Sequence, residues 1–136
     1  MLFRSKAFAA RQQKNGKPLI HDARFRDRLA RVEIELTALS ITNLRFLDQL
    51  RGGRAPGAEV SMLKIKGTEI QQQLAELMMH AAGPLAQAVA PVTHDDGFDR
   101  FVAALSPRYC NYRKTTIYAG SNEIQRNIIA KLALGL

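Results

Sequence analysis

The residues that could do chemistry gather at two places. The first is Tyr118-Ala119-Gly120-Ser121-Asn122-Glu123, just ahead of apolar residues spaced by four at Ile124, Ile128 and Leu132. Ser121 is a natural helix N-cap, and Glu123 puts an acid in the first turn, where a carboxylate is favourable. A helix starting there aims unpaired backbone N–H groups at whatever lies in front of it. The turn therefore reads either as a well-capped αα-turn or as a site for an anion or polar ligand. The second place is His80-Ala81-Ala82-Gly83-Pro84, a run of small residues at a helix end. It reads as an ordinary Gly-Pro stop or as a second ligand-facing surface.

Other chemistry is thinly provided. His21, His80 and His94 lie far apart and lack the paired His or carboxylate spacing that a metal needs, so no metal site is expected. Cys110 is the single cysteine, which excludes an intrachain disulfide and a Cys-based zinc site. Beside Tyr109 on a predicted helix, it reads as a small core residue. No serine sits in a nucleophile-elbow pattern, and the glycines do not form a phosphate loop.

These residues must be positioned by helices. Leu2, Phe3, Ala7 and Ala10 recur at helical spacing, and Gly16-Lys17-Pro18 reads as a break. Asp22 caps a long helix over about Ala23 to Arg51, on which Phe25, Leu29, Val32, Leu36 and Leu39 form one apolar row. Ile34, Ile41 and Leu44 form a second row, which suggests contact with more than one neighbour. Gly52-Gly53 ends this helix. The next runs from about Glu59 to Ala82 with Leu63, Gly67, Ile70, Leu74, Leu77 and Ala81 on one stripe. Gly67 inside it costs about 1 kcal/mol relative to Ala, which close approach of a helix or ligand would offset. Residues 85–106 read as a connection with one short helix over Phe98 to Leu105. Pro107 opens a third long element reaching about Ile117, and the final helix ends at Gly135. No alternating β pattern competes. The expected fold is all-α, an antiparallel helical bundle in one domain over residues 1–136.

The composition agrees. The chain has 136 residues, 46% of them hydrophobic and 24% charged, as a globular domain does. No apolar run approaches the ~20 residues of a membrane span. Twenty basic against twelve acidic residues give a formal charge of +8. That invites a polyanion reading, but the basic residues are scattered among acids, as Arg24 to Arg28 with Asp27, and form a solvated face more than a nucleic-acid patch. Met1 to His21 carries no acid and five basic residues, a pattern of a targeting segment or of a helix end whose cations favour the dipole.

The tail Ile117-Tyr118-Ala119-Gly120-Ser121-Asn122-Glu123-Ile124-Gln125-Arg126-Asn127-Ile128-Ile129-Ala130-Lys131 resembles the C-terminal signature of acyl-CoA dehydrogenases. Ser61-Met62-Leu63-Lys64-Ile65-Lys66-Gly67-Thr68-Glu69 and Gly16-Lys17-Pro18-Leu19 resemble further stretches of that family, in order along nearly the whole chain. The resemblance implies the C-terminal four-helix bundle of a larger flavoenzyme, with the bundle's first helix truncated to residues 2–14. It implies FAD as cofactor, an acyl-CoA substrate, a dimer or tetramer, electron-transfer flavoprotein as acceptor, and a cytoplasmic location in bacteria or the mitochondrial matrix in eukaryotes.

It also implies roles residue by residue. Family members remove the substrate α-proton with a glutamate that often stands where this chain has Ala119, a methyl that takes no proton. Other members carry the base on the bundle's first helix, which the resemblance implies is mostly absent here. No catalytic residue is therefore assigned, and Glu59, Glu69 and Glu76 match neither position. The backbone N–H of Ala119 would bind the thioester carbonyl, and Gly120 would lie beside the acyl chain. Ser121, Asn122 and Glu123 match the stretch that contacts FAD. His80 and Gly83 fall where the family contacts a neighbouring subunit's FAD, with the family's Gln and second Gly lost. Arg11 stands one residue before the place of the pyrophosphate arginine. The chain is then inactive alone; a non-catalytic subunit beside a Glu-bearing partner is the alternative.

Overall fold

The computed structural model describes residues 2–55, 57–87 and 97–136. Helix α1 (Leu2–Arg11) is followed by the two-residue strands β1 (Gln13–Lys14) and β2 (Lys17–Pro18). Asn15 and Gly16 both take positive φ, 54° and 75°, the two-residue turn that matches the twist of a hairpin. The strands are too short to show alternation, so this hairpin stands where the sequence indicates only a break. After a 3₁₀ turn at Leu19–His21 comes α2 (Ala23–Arg51). Its N-cap is Asp22, whose carboxylate accepts from the Phe25 N–H at 3.0 Å, and Gly52 and Gly53 end it as expected.

A 3₁₀ turn at Ala58–Val60 leads into α3 (Ser61–Ala82). Gly83, at φ 59°, donates its N–H to the Met79 carbonyl and closes that helix. Then come α4 (Gly97–Ala103), α5 (Leu105–Tyr112), a 3₁₀ turn at Arg113–Thr116, and α6 (Asn122–Ala133). Helix α5 begins two residues before Pro107, since a proline in a first turn forfeits no needed N–H. It tightens to 3₁₀ geometry four residues before the expected end. Residues 88–96 lie outside the described residues, and with them Pro91 and His94.

Helix α3 is the hub. It packs against α1, α2, α5 and α6. Arg28 meets His80, and Leu39 faces Gly67, so α2 and α3 run antiparallel. The core joins Phe8, Phe25, Leu29, Val32, Ile70, Leu74, Leu77, Met78 and Leu105. The Phe8 and Phe101 rings meet at 5.3 Å and 53°. Burying side chains of this size contributes roughly 1.5–3 kcal/mol each. The α2 apolar row is buried only through Val32, with Leu36 and Leu39 packed against the core's edge. The second row stays open: Ile34, Ile41 and Leu44 are 69%, 54% and 63% exposed.

Two local expectations are corrected. A Cβ on Gly67 would lie 3.9 Å from Leu39 Cδ2, ordinary contact, so no close approach requires that glycine. Cys110 is exposed, because it falls on the face of α5 turned away from α3. No described helix is long and apolar enough to cross a membrane. Among the described residues no group of three His, Cys, Asp or Glu side chains could hold a metal.

Candidate functional site

The turn ahead of α6 is held in an unusual backbone shape. Ala119 has φ 56° and Gly120 has φ 84°, two left-handed residues in succession. Glycine adopts this freely, whereas alanine is strained there by roughly 1 kcal/mol. Such strain persists only where the surroundings fix it. Both residues are exposed, and Ile117 and Tyr118 beside them are exposed too.

Ser121 follows in extended geometry and caps α6, its Oγ accepting the Ile124 N–H at 3.4 Å. The Glu123 carboxyl is held below its ordinary range, first by its own backbone N–H, then by the Ser121 hydroxyl, with Arg126 and Lys64 adding charge. Arg126 reaches Glu69 at 3.2 Å and Glu123 at 3.9 Å, and Glu69 also pairs with Lys66. Glu69 is thus a network member and not only a surface charge.

Asn122 behaves differently from its exposed neighbours. It is only 3% exposed. Its Oδ1 accepts from Lys64 Nζ at 2.8 Å, and its Nδ2 lies 3.3 Å from Thr68 Oγ1. The Thr68 hydroxyl is also 2.9 Å from the Lys64 and Ile65 carbonyls, to which it can donate its one proton. Thr68 Oγ1 lies 3.3 Å from both Asn122 Nδ2 and Oδ1; with its proton on a backbone carbonyl at 2.9 Å, it accepts from the Asn122 amide. One helical turn further, Gln72 Nε2 donates to the carbonyls of Tyr112 at 3.1 Å and Arg113 at 3.3 Å. Buried Thr115 closes on the same Tyr112 carbonyl at 2.7 Å. The Arg113 guanidinium lies 4.4 Å over the Tyr109 ring. Lys64, Thr68 and Gln72 escaped the apolar periodicity; their own polar spacing of four was the available signal.

The second place sits at the other end of α3. Twelve residues separate Thr68 from His80, about 18 Å along the helix at 1.5 Å per residue. Here an open depression of about 630 Å³ is lined by Lys14, Asp22, Arg24, Arg28 and His80, among others. The Arg28 guanidinium donates to His80 Nδ1 at 2.6 Å, and since arginine cannot accept, the proton of a neutral His80 ring rests on Nε2. Lys14 pairs with Asp22 at 2.8 Å. A Cβ on Gly83 would meet nothing within 4 Å. Arg11 is exposed at the end of α1. Ala119 to Glu123 are consecutive and form the turn into α6, and His80 and Gly83 lie at the opposite end of α3 from it.

Comparison with known proteins gives a consistent family. Residues 2–134 match the family model "Acyl-CoA dehydrogenase, C-terminal domain". No curated protein sequence matches significantly. Among solved structures, the chain is similar to one in the ChsE4-ChsE5 complex from Mycobacterium tuberculosis, at 25% identity and TM-score 0.77, over 99% of this chain and 34% of that one. It is also similar in fold to a glutaryl-coenzyme A dehydrogenase determined with glutaryl-CoA, at 21% identity and TM-score 0.76, over 98% of this chain and 31% of that one. The chain thus spans about a third of the length of these structures.

Proposed function

The chain belongs to the acyl-CoA dehydrogenase family as its C-terminal domain, and on that premise we propose that it serves an FAD-dependent α,β-dehydrogenation of acyl-CoA thioesters, inactive alone. Its part is to supply flavin and acyl-CoA contacts and an oligomer interface. The observation that carries this reading is the exposed left-handed pair Ala119-Gly120, set directly before the capped N-terminus of α6.

The residues present fit one edge of such a site. The N–H groups of Ala119 and Gly120 make no backbone hydrogen bond among the described residues, so they are free to donate. Gly120 is exposed, with the end of the Gln125 side chain where a Cβ would stand, and exposed Ile117, Tyr118 and Ile124 offer apolar surface around it. FAD, when bound, supplies the acceptor for the hydride. The Ala119 N–H would polarise the thioester carbonyl and stabilise the charge that develops on its oxygen. Ser121, Asn122 and Glu123 would contact the flavin through backbone and hydroxyl groups, the Asn122 side chain being turned inward. His80 and Gly83, at the other end of α3, would contact the FAD of a neighbouring subunit, and exposed Arg11 would serve the flavin pyrophosphate. The α-proton must go to a base outside position 119.

A second reading keeps the family and changes the role: a subunit lacking the base, paired with a Glu-bearing partner. Ala119 favours it, and the similar M. tuberculosis structure is a complex of two named proteins.

The test is dye reduction by acyl-CoA, with the chain alone and with the native assembly that contains it. Turnover confined to a flavin-bearing assembly supports the proposal. An assembly without flavin that cannot be reconstituted with FAD overturns it. Turnover by a homo-oligomer excludes the second reading.

A further inference from the structure

One face of α3 carries three polar residues at a spacing of four, Lys64, Thr68 and Gln72, inside an otherwise apolar packing surface. Their partners bracket the turn 117–121 on both sides. Gln72 holds the carbonyls of Tyr112 and Arg113, where the chain enters. Lys64 and Thr68 hold the buried Asn122 amide, where it leaves. We propose that this stripe is a positioning device: Lys64, Thr68, Gln72 and Asn122 fix the strained turn so that the Ala119 N–H points at the ligand. The inference rests on the reading of the turn as a thioester site.

The geometry supports it in three ways. The hydrogen-bond directions close without conflict. The Lys64 ammonium donates to Asn122 Oδ1, the Asn122 amide donates to Thr68 Oγ1, and the Thr68 hydroxyl donates back to the Lys64 carbonyl at 2.9 Å. Lys64 can only donate, so it sets Asn122 Oδ1 toward the ammonium and leaves Nδ2 toward Thr68, whose Oγ1 also lies 3.3 Å from Oδ1. Next, Asn122 is buried while Ala119, Gly120 and Glu123 are exposed, so the first residue of α6 is the anchor and the turn hangs from it. Finally, Ala119 lacks the freedom of glycine, so its left-handed conformation needs imposed restraint, and the two anchors lie on one rigid helix. None of the four side chains touches the ligand in this account; they act through the backbone of the turn.

The test uses Asn122→Ala, Gln72→Leu and Thr68→Val, with Thr68→Ser as the conservative control that keeps the hydroxyl. Backbone ¹⁵N relaxation of the 136-residue chain needs no flavin. The wild type and Thr68→Ser should show order parameters near 0.85 at Ala119 and Gly120, whereas the three disruptive variants should fall below about 0.6 there, with α2 and α3 unchanged. In the flavin-bearing assembly the same variants should lose roughly tenfold in kcat per bound flavin while KM moves less than threefold, because a misaimed donor costs transition-state contact. Rigid turn residues in every variant overturn the proposal. So does a lowered Tm with unchanged kcat per flavin, which marks a merely structural role. Should a disruptive variant fail to fold, Thr68→Val against Thr68→Ser decides alone. A flavin-free wild-type assembly contradicts the functional reading, whereas the relaxation data still judge the positioning.

Discussion

Exchanging the two residues of the left-handed turn separately gives unequal outcomes. In Gly120→Ala, the new Cβ must sit at φ 84° and 2.7 Å from Gln125 Nε2. Left-handed geometry costs an L-residue about 1–2 kcal/mol. The clash adds less, because the end of a glutamine is flexible; pushing it off its rotamer costs about 0.5–1 kcal/mol. Losing a glycine returns about 0.5–1 kcal/mol of chain entropy, so the net is roughly 0.5–2.5 kcal/mol, or about 2–9 °C in Tm at some 3–4 °C per kcal/mol for a domain of this size. In Ala119→Gly the backbone strain is relieved by about 1 kcal/mol, and the extra chain entropy of glycine takes back about 0.5–1 kcal/mol, so the net lies near zero. Urea unfolding followed by circular dichroism measures both. A Gly120→Ala variant as stable as the wild type, or an Ala119→Gly variant destabilised by more than about 1 kcal/mol, would refute the left-handed turn.

Other perturbations test the fold around the site. Gly67→Ala should be neutral or stabilising by up to about 1 kcal/mol, since the methyl enters ordinary contact with Leu39 and helix propensity improves; thermal melts check it. Asp22 is held below its ordinary value, first by the hydrogen bond from Lys14 and then by the Phe25 N–H. Glu123 is lowered as well. A lowered folded-state value stabilises above the unfolded one near ~4 and loses that contribution as pH falls through the folded value. Tm should therefore drop between about pH 5 and pH 2, and Asp22→Asn, which keeps the cap but weakens the Lys14 contact, should flatten that drop. Ile34→Glu with Ile41→Glu should shift the protein toward monomer by light scattering, because these exposed residues lie seven apart on one face of α2.

How far the sequence reveals this fold depends on where the signal resides. Asp22 and Gly52-Gly53 mark both ends of α2 to the residue, because caps and breakers are local chemistry. Ser121 likewise marks the start of α6. The hairpin at Gln13–Pro18 escapes notice because two-residue strands have no period, although Asn15-Gly16 is its turn signature. The tail residues 119–123 are legible as a candidate site, since a cap and a resemblance both point there. What holds them is not, because Lys64, Thr68 and Gln72 are surface-type residues whose half-buried contacts with the chain around α5 and α6 only the tertiary packing creates. Cys110 shows the converse: helical spacing alone does not say which side of α5 meets α3.

The central claim is that this domain completes a flavin and acyl-CoA site, and a photometric titration tests it most directly. The native assembly, captured through a tag on this chain, is recorded before and after acyl-CoA is added without oxygen. The account predicts an oxidised-flavin spectrum that bleaches on addition. A colourless assembly that takes up no FAD, or a flavin spectrum that no acyl-CoA disturbs, would contradict it.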